Sequence, residues 1–254
     1  MHTPDPSQPS SLELAGSTAL ITGAGQRIGA ACAQALALAG VKVAVHAHHS
    51  LAAAQALCHT IQQQGGVAEP FLADLADPRQ TTHLLEQVDS QLGTVRILVN
   101  NAAIFKPGAF GTTSLEAWQE MLAINLTAPF LLMQAFARAL GPVTAGVIVN
   151  LLDQRIIRPR PGHLAYTVAK SALWSLTRMA ALELAPTIRV NAIAPGPILP
   201  AVGMEGEAHF QRIAAATPLG RPGSPQDIVD TLLFLVRHAF ITGEMVYVDG
   251  GEHL

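Results

Sequence analysis

Short runs of β-branched and apolar residues alternate along the whole chain with longer segments of helical periodicity, and this alternation limits the fold more than any other property of the sequence. Strands are expected at Thr18–Thr22, Val41–Ala47, Val67–Leu72, Val95–Val99, Gly146–Leu151, Ile188–Ala192 and Glu244–Val248. Helices are expected at Arg27–Ala39, Leu51–Gln64, Pro78–Leu92, Leu115–Leu140, Leu164–Leu184 and Pro225–His238. Runs such as Ile97-Leu98-Val99 and Val147-Ile148-Val149 are apolar on both faces, as in strands covered from both sides. Strand–helix–strand units close by right-handed crossovers into a parallel sheet. The expectation is one α/β domain over residues 13–254, doubly wound, with a seven-stranded parallel sheet and helices on both faces. Residues 1–12, rich in Pro and Ser, read as a mobile tail.

The chain has 254 residues, half of them hydrophobic, enough to bury a large core without disulfides or metals. A formal net charge of −3, no strongly basic stretch and few aromatic residues argue against nucleic acid as a partner. Cys32 and Cys58 fit no metal-ligand spacing, and they read as apolar fillers in a protein of a reducing compartment. The segment before Ser11 lacks the apolar core of a signal peptide, and no apolar run reaches the roughly 18 residues of a membrane span. A cytoplasmic protein acting on a small molecule is therefore expected.

In such a fold ligands sit beyond the carboxyl ends of the strands. After the first strand comes Thr22-Gly23-Ala24-Gly25-Gln26-Arg27-Ile28-Gly29. Glycines there permit a tight turn that brings backbone amides and a helix N-terminus to a pyrophosphate. The spacing is not GxGxxG, and a plain turn is the alternative. After the second strand, Val45-His46-Ala47-His48-His49-Ser50 contains no carboxylate to hold a ribose 2′-hydroxyl. His48, His49 and Ser50 instead suit a 2′-phosphate, so NADPH is the expected cofactor; a solvated histidine cluster is the alternative, and no metal site is expected.

Tyr166-Thr167-Val168-Ala169-Lys170 opens a long helix, and residues four apart share a helical face. A free phenol has a pKa of about 10. A neighbouring ammonium is expected to lower it and make Tyr166 a usable proton donor.

From about Leu14 to Leu254 the chain resembles the short-chain dehydrogenase/reductase family of Rossmann-type folds. The resemblance rests on Thr22–Gly29, Asp74, Asn100-Asn101-Ala102, Asn125, Tyr166 with Lys170, Pro195-Gly196 and Asp249-Gly250-Gly251. It implies that Gly23, Gln26, Arg27 and Ile28 meet the pyrophosphate and that Asp74 and Leu75 hold the adenine. It further implies that Asn101 and Ala102 support the cofactor cleft, Pro195 and Gly196 border the nicotinamide, and Lys170 bonds its ribose. Tyr166 is then the proton donor, Asn125 positions a relay water, and the assembly is a homotetramer.

Two departures narrow the resemblance. Arg27 stands where the family has Gly, and Asp153 where it has its catalytic Ser. Together with the His-x-His-x-Ser run and Asn100-Asn101-Ala102-Ala103-Ile104-Phe105, they resemble the pteridine reductase and dihydromonapterin reductase branch. That likeness implies a pterin substrate reduced at a C=N bond. Phe105 would stack on the ring, Arg27 would reach its edge, and Asp153 would work with Tyr166 in proton delivery. Asp153 could instead be a capping carboxylate and Phe105 an ordinary loop hydrophobe. Arg155, Arg158 and Arg160 in the loop Gln154–His163 could recognise an acidic tail or be simply solvated, and Leu199–Thr217 is the expected substrate lid. The alternatives for the whole chain are a carbonyl reductase for 3-oxoacyl thioesters or small ketones, and a non-catalytic dinucleotide sensor.

Overall fold

A computed structural model describes residues 12–142, 144–200 and 207–254. Seven strands form the sheet: β1 (Thr18–Ile21), β2 (Lys42–Ala47), β3 (Ala68–Leu72), β4 (Val95–Asn100), β5 (Gly146–Leu151), β6 (Ile188–Pro195) and β7 (Met245–Val248). The helices are α1 (Arg27–Leu38), α2 (Leu51–Gln63), α3 (Pro78–Leu92), α4 (Leu115–Leu122), α5 (Ala128–Leu140), α6 (Leu164–Glu183), α7 (Glu207–Ala215) and α8 (Pro225–Arg237). All neighbouring strands are parallel, in the order β3-β2-β1-β4-β5-β6-β7. The expected fold is therefore present. The expected N-terminal tail lies outside the described residues.

Two apolar layers cover the sheet. On one face Cys32, Leu36, Ile61, Leu232 and Leu235 bring α1, α2 and α8 against the strands. On the other, Leu84, Leu132 and Phe136 do the same for α3 and α5, joined by Ala181 of α6. Leu132 and Phe136 are fully buried, and each such side chain contributes about 1.5–3 kcal/mol. Both cysteines are free and buried in the first layer, where burial pushes the Cys32 thiol up to about 12 and the Cys58 thiol to about 11. They pack as the sequence suggested.

The sequence reads Leu115–Leu140 as one helix, but the structure interrupts it with a π-helical turn, Ala123–Thr127. The amide of Ala128 reaches back five residues to the Ala123 carbonyl. Pro129 has no N–H to return to the carbonyl of Asn125, so the α-helical ladder cannot run through this point. By length and composition alone Leu115–Leu140 could cross a membrane, although it contains no uninterrupted apolar run of that length. Here its buried residues, Leu132, Met133, Phe136 and Leu140, belong to the layer under α3, the arrangement of a core helix.

The chain leaves β1 towards β2 and β3, then returns to the other side of β1 to lay down β4. This reversal opens a crevice beyond the carboxyl ends of β1 and β4. Buried polar side chains brace the strands beside it. Asn100 Nδ2 donates to Asn150 Oδ1 at 2.8 Å, and Asn150 Nδ2 donates to Thr177 Oγ1 at 2.9 Å, tying β4 to β5 and α6.

The crevice floor leaves no room at Gly29, where a Cβ would lie 2.5 Å from the Gly23 carbonyl oxygen and 2.6 Å from Asn101 Nδ2. At Gly25 the nearest atom would be the Ala54 nitrogen at 3.6 Å, an ordinary contact. Gly29→Ala is expected to cost about 1–3 kcal/mol in a denaturant titration, whereas Gly25→Ala stays within about 0.5 kcal/mol of the parent.

Candidate active site

The tips of β1 and β4 are locked by one hydroxyl. Thr22 Oγ1 accepts from the backbone amides of Asn101 and Ala102, each at 3.0 Å. Asn101 Nδ2 donates back to the carbonyls of Thr22 at 2.8 Å and Gly23 at 3.1 Å. The turn that follows has Gly23 at φ 62° and Arg27 at φ 58°. Arg27 is the only non-glycine residue with positive φ among the described residues, a conformation costing about 1–2 kcal/mol. From that backbone its Nη2 reaches the Pro200 carbonyl at 2.6 Å, bridging the start of α1 and the segment after β6 across the crevice mouth.

His46 precedes the residues expected at the 2′-phosphate, His48, His49 and Ser50, and has a role that the sequence reading did not assign. It lies inside β2, almost fully buried; its Nδ1 accepts from the Gly23 amide at 3.1 Å, and its Nε2 lies 3.1 Å from the Ala73 carbonyl. The carbonyl can only accept, so the proton sits on Nε2. Burial holds the ring neutral by pushing its pKa down to about 4. The neutral ring thus ties the glycine turn to the end of β3. The apolar strand around position 46 was the available signal, since a histidine inside such a run needs two partners.

A cavity of about 640 Å³ fills the crevice. Of the expected residues, Gly23, Gln26, Arg27, Ile28 and His48 line it from the β1 and β2 ends, and Asp74 and Leu75 from the β3 end. Asn101, Ala102 and Phe105 line it after β4, Asp153 and Tyr166 after β5, and Pro195 and Gly196 after β6. His49, Ser50, Asn125 and Lys170 do not line it. His49 and Ser50 are exposed beyond β2, where the rings of His48 and His49 lie 3.4 Å apart between centroids. Asp74 Oδ1 lies 3.7 Å from His48 Nε2 and accepts from the Ala76 amide at 2.9 Å. Although β2 ends without a carboxylate, one therefore approaches from the next strand.

Asn125, fully buried in the π-helical turn, uses its amide on the loop after β4. Its Oδ1 accepts from the Ile104 amide at 3.1 Å and its Nδ2 donates to the Ile104 carbonyl at 3.0 Å. The side chain thereby positions the loop that carries Phe105. Phe105 stacks on His163 at 4.0 Å between centroids and meets the Tyr166 ring edge-on at 4.7 Å, with the Arg155 guanidinium over it at 5.5 Å. It is held in a ring cluster rather than standing free, and a substrate ring has to share it with His163 and Arg155. Neither His163 nor two further cavity residues, Gln154 and Glu252, was singled out from sequence. Their positions follow from chain packing that no local pattern reports.

Tyr166 donates its hydroxyl to Asp153 Oδ2 at 2.9 Å, while Asp153 Oδ1 accepts from the Arg155 amide at 2.8 Å. Asp153 is therefore both a cap of the short 3-10 turn Gln154–Ile156 and a partner of the phenol. Lys170 Nζ donates to the Leu151 carbonyl at 2.6 Å and lies 5.9 Å from the Tyr166 ring centroid. The expectation that Lys170 acidifies Tyr166 is corrected here. Burial, reinforced by the negative charge of Asp153, pushes the phenol well above its ordinary value. Burial also raises the Asp153 carboxyl and lowers Lys170 to about 8. Desolvation outweighs the ammonium because the ammonium is directed at a carbonyl rather than at the phenol oxygen.

Residues 23–253 match the family model described as enoyl-(acyl carrier protein) reductase. The chain belongs to the short-chain dehydrogenase/reductase family. It is 34% identical to the 3-oxoacyl-[acyl-carrier-protein] reductase of Synechocystis sp., covering 94% of this chain and 97% of that one. Among solved structures, FolM alternative dihydrofolate reductase 1 from Brucella canis, complexed with NADP, superposes with a TM-score of 0.91 at 36% identity, covering 95% of each chain. A blue fluorescent protein from a metagenomic library, in complex with NADPH, superposes with a TM-score of 0.88 at 32% identity over 96% of this chain and all of that one.

Native His46 stays neutral down to about pH 4, whereas the unfolded side chain takes up a proton near pH 6.5. Between these values the unfolded state binds more protons, so stability is complete above pH 6.5 and declines as the pH falls towards 4. The loss from this group is at most about 3 kcal/mol. Thermal midpoints recorded across this range are expected to fall with pH, and to fall less steeply in His46→Asn, whose amide oxygen can still accept from Gly23.

Proposed function

We propose that this oxidoreductase is an NADPH-dependent reductase of a pterin-like C=N bond, with Tyr166 and Asp153 delivering the proton. The observation that carries this reading is the 2.9 Å hydrogen bond between two buried acids, Tyr166 and Asp153, both biased towards keeping a proton. The cleft fits the cofactor. The Gly23–Gly29 turn has no space for a side chain at Gly29, the neutral His46 fixes the turn by accepting the Gly23 amide, and His48 supplies a donor beside the end of β2. When bound, reduced NADP supplies a hydride.

The chain supplies the rest. As the π pair of the C=N bond moves onto nitrogen, the Tyr166 O–H breaks and an N–H forms. Asp153, whose Oδ2 accepts the phenol O–H at 2.9 Å and whose carboxyl burial raises, is the group through which a proton from solvent returns to the phenolate. Lys170, its ammonium buried near the phenol ring, offsets that charge. Asn125 holds the Phe105 loop through Ile104, and Phe105 offers an aromatic surface to the ring. A carboxyl at position 153 favours a substrate with a basic nitrogen or hydrogen-bond donors. The same reading includes a cytoplasmic homotetramer, supported by exposed Phe130, Met179 and Leu182 on α5 and α6. The second reading, a 3-oxoacyl thioester reductase, is favoured by the 34% identity to the Synechocystis enzyme of that name.

Tyr166→Phe is expected to lower turnover by about 10²–10⁴-fold while NADPH still binds, as stopped-flow and fluorescence titration would read separately. NADPH oxidation assayed side by side with a dihydropterin and an acetoacetyl thioester is expected to favour the dihydropterin; preference for the thioester overturns the pterin assignment. NADPH is expected to bind more tightly than NADH in fluorescence titrations, and equal affinities would count against a 2′-phosphate contact at His48.

A further inference from the structure

Among the described residues, three buried side-chain atoms have no hydrogen-bond partner: Asn100 Oδ1, Thr167 Oγ1 and Gln154 Oε1. Of the three residues, only Gln154 belongs to the wall of the main cavity. It is 4% exposed and opens the 3-10 turn Gln154–Ile156, directly after Asp153. Donors around that turn are engaged elsewhere. The Tyr166 hydroxyl and the Arg155 amide donate to Asp153, at 2.9 and 2.8 Å, and the Lys170 ammonium donates to the Leu151 carbonyl. Arg160 Nη2 donates to Glu252 Oε1 at 3.0 Å, and Glu252 is a second nearly buried acceptor in the same wall.

We propose that the Gln154 carboxamide oxygen accepts a hydrogen bond from a substrate N–H, and so selects a heterocycle that carries amine or lactam donors. This rests on the pterin reading and deepens it from proton delivery to recognition of the ring. Buried acceptors in folded proteins almost always have a partner, because an unbonded one keeps the full cost of its desolvation. At Gln154 folding has already taken the oxygen out of water. A donor arriving with the ligand therefore forms a bond there without first displacing a protein–water bond at that atom. The terminal amide torsion of glutamine is broad, so the oxygen can turn to meet the donor at little cost. Much of the remaining wall is apolar, with Ile104, Phe105, Ile124, Phe210 and Ile213, and in such surroundings a single hydrogen bond discriminates more strongly.

Steady-state kinetics of the full enzyme with a dihydropterin, its 2-desamino analogue and its N3-methyl analogue tests this. Wild-type kcat/KM is expected to fall about tenfold for the analogue that has lost the donor meeting Gln154. Gln154→Met keeps the length of the side chain without the acceptor. In that variant the same analogue and the parent compound are expected to agree within about twofold, with NADPH binding unchanged in fluorescence titrations. Thermal unfolding of the ligand-free enzyme gives a second readout. Because the substitution removes an unbonded acceptor, it is expected to raise the midpoint by about 2–4 °C, whereas replacing a side chain with a structural bond would lower it. A wild-type enzyme indifferent to both analogues, losses as large in Gln154→Met as in wild type, or a midpoint below the parent's overturns the proposal and leaves the pterin reading standing. Absence of turnover with every dihydropterin removes both.

Discussion

The hydroxyl of Thr22, accepting two amides from the tip of β4, is the contact on which the site depends. At the point where a doubly wound sheet reverses direction, two neighbouring strands diverge into loops, and nothing in the sheet ladder itself fixes where those loops go. Thr22, with the return bonds from Asn101, fixes both of them within about 3 Å contacts of one another. His46 adds a third strand end to the same knot by joining Gly23 to Ala73. The loop backbone bordering the crevice is thereby fixed before any ligand arrives, which is the form of preorganisation that a polar ligand rewards.

The acid pair deeper in the cavity works on the opposite principle. Tyr166 and Asp153 are brought together in a buried setting that resists charge on either. The proton therefore stays on the pair until a basic acceptor is presented. Lys170 lies 5.9 Å from the Tyr166 ring centroid, yet its direct hydrogen bond is to Leu151. The Tyr166–Lys170 pair expected from the YxxxK spacing has Asp153 as the phenol's hydrogen-bond partner, with the ammonium behind the ring.

Local backbone irregularities serve the same cleft. The π-helical turn at Ala123–Thr127 turns Asn125 inward to hold Ile104, and the left-handed Arg27 projects its guanidinium across the mouth to Pro200. Each gives up regular geometry where a functional loop has to be held. The described part of the expected lid, ending in α7, contributes Phe210 and Ile213 to the cavity wall, while residues 201–206 lie outside the described residues.

The alternation of apolar runs and amphipathic segments determined the seven parallel strands and their covering helices, because both periodicities are local and survive in a linear string. The same is true of Gly23, Gly29, Tyr166 and Lys170, whose meaning lies in a turn or one helical repeat. What only the tertiary structure decided is how those groups feel one another. Burial reversed the expected direction of the Tyr166 shift, put the neutral His46 under the glycine turn, and surrounded Phe105 with His163 and Arg155. Desolvation and long-range packing depend on atoms dozens of residues away, and no spacing along the chain encodes them.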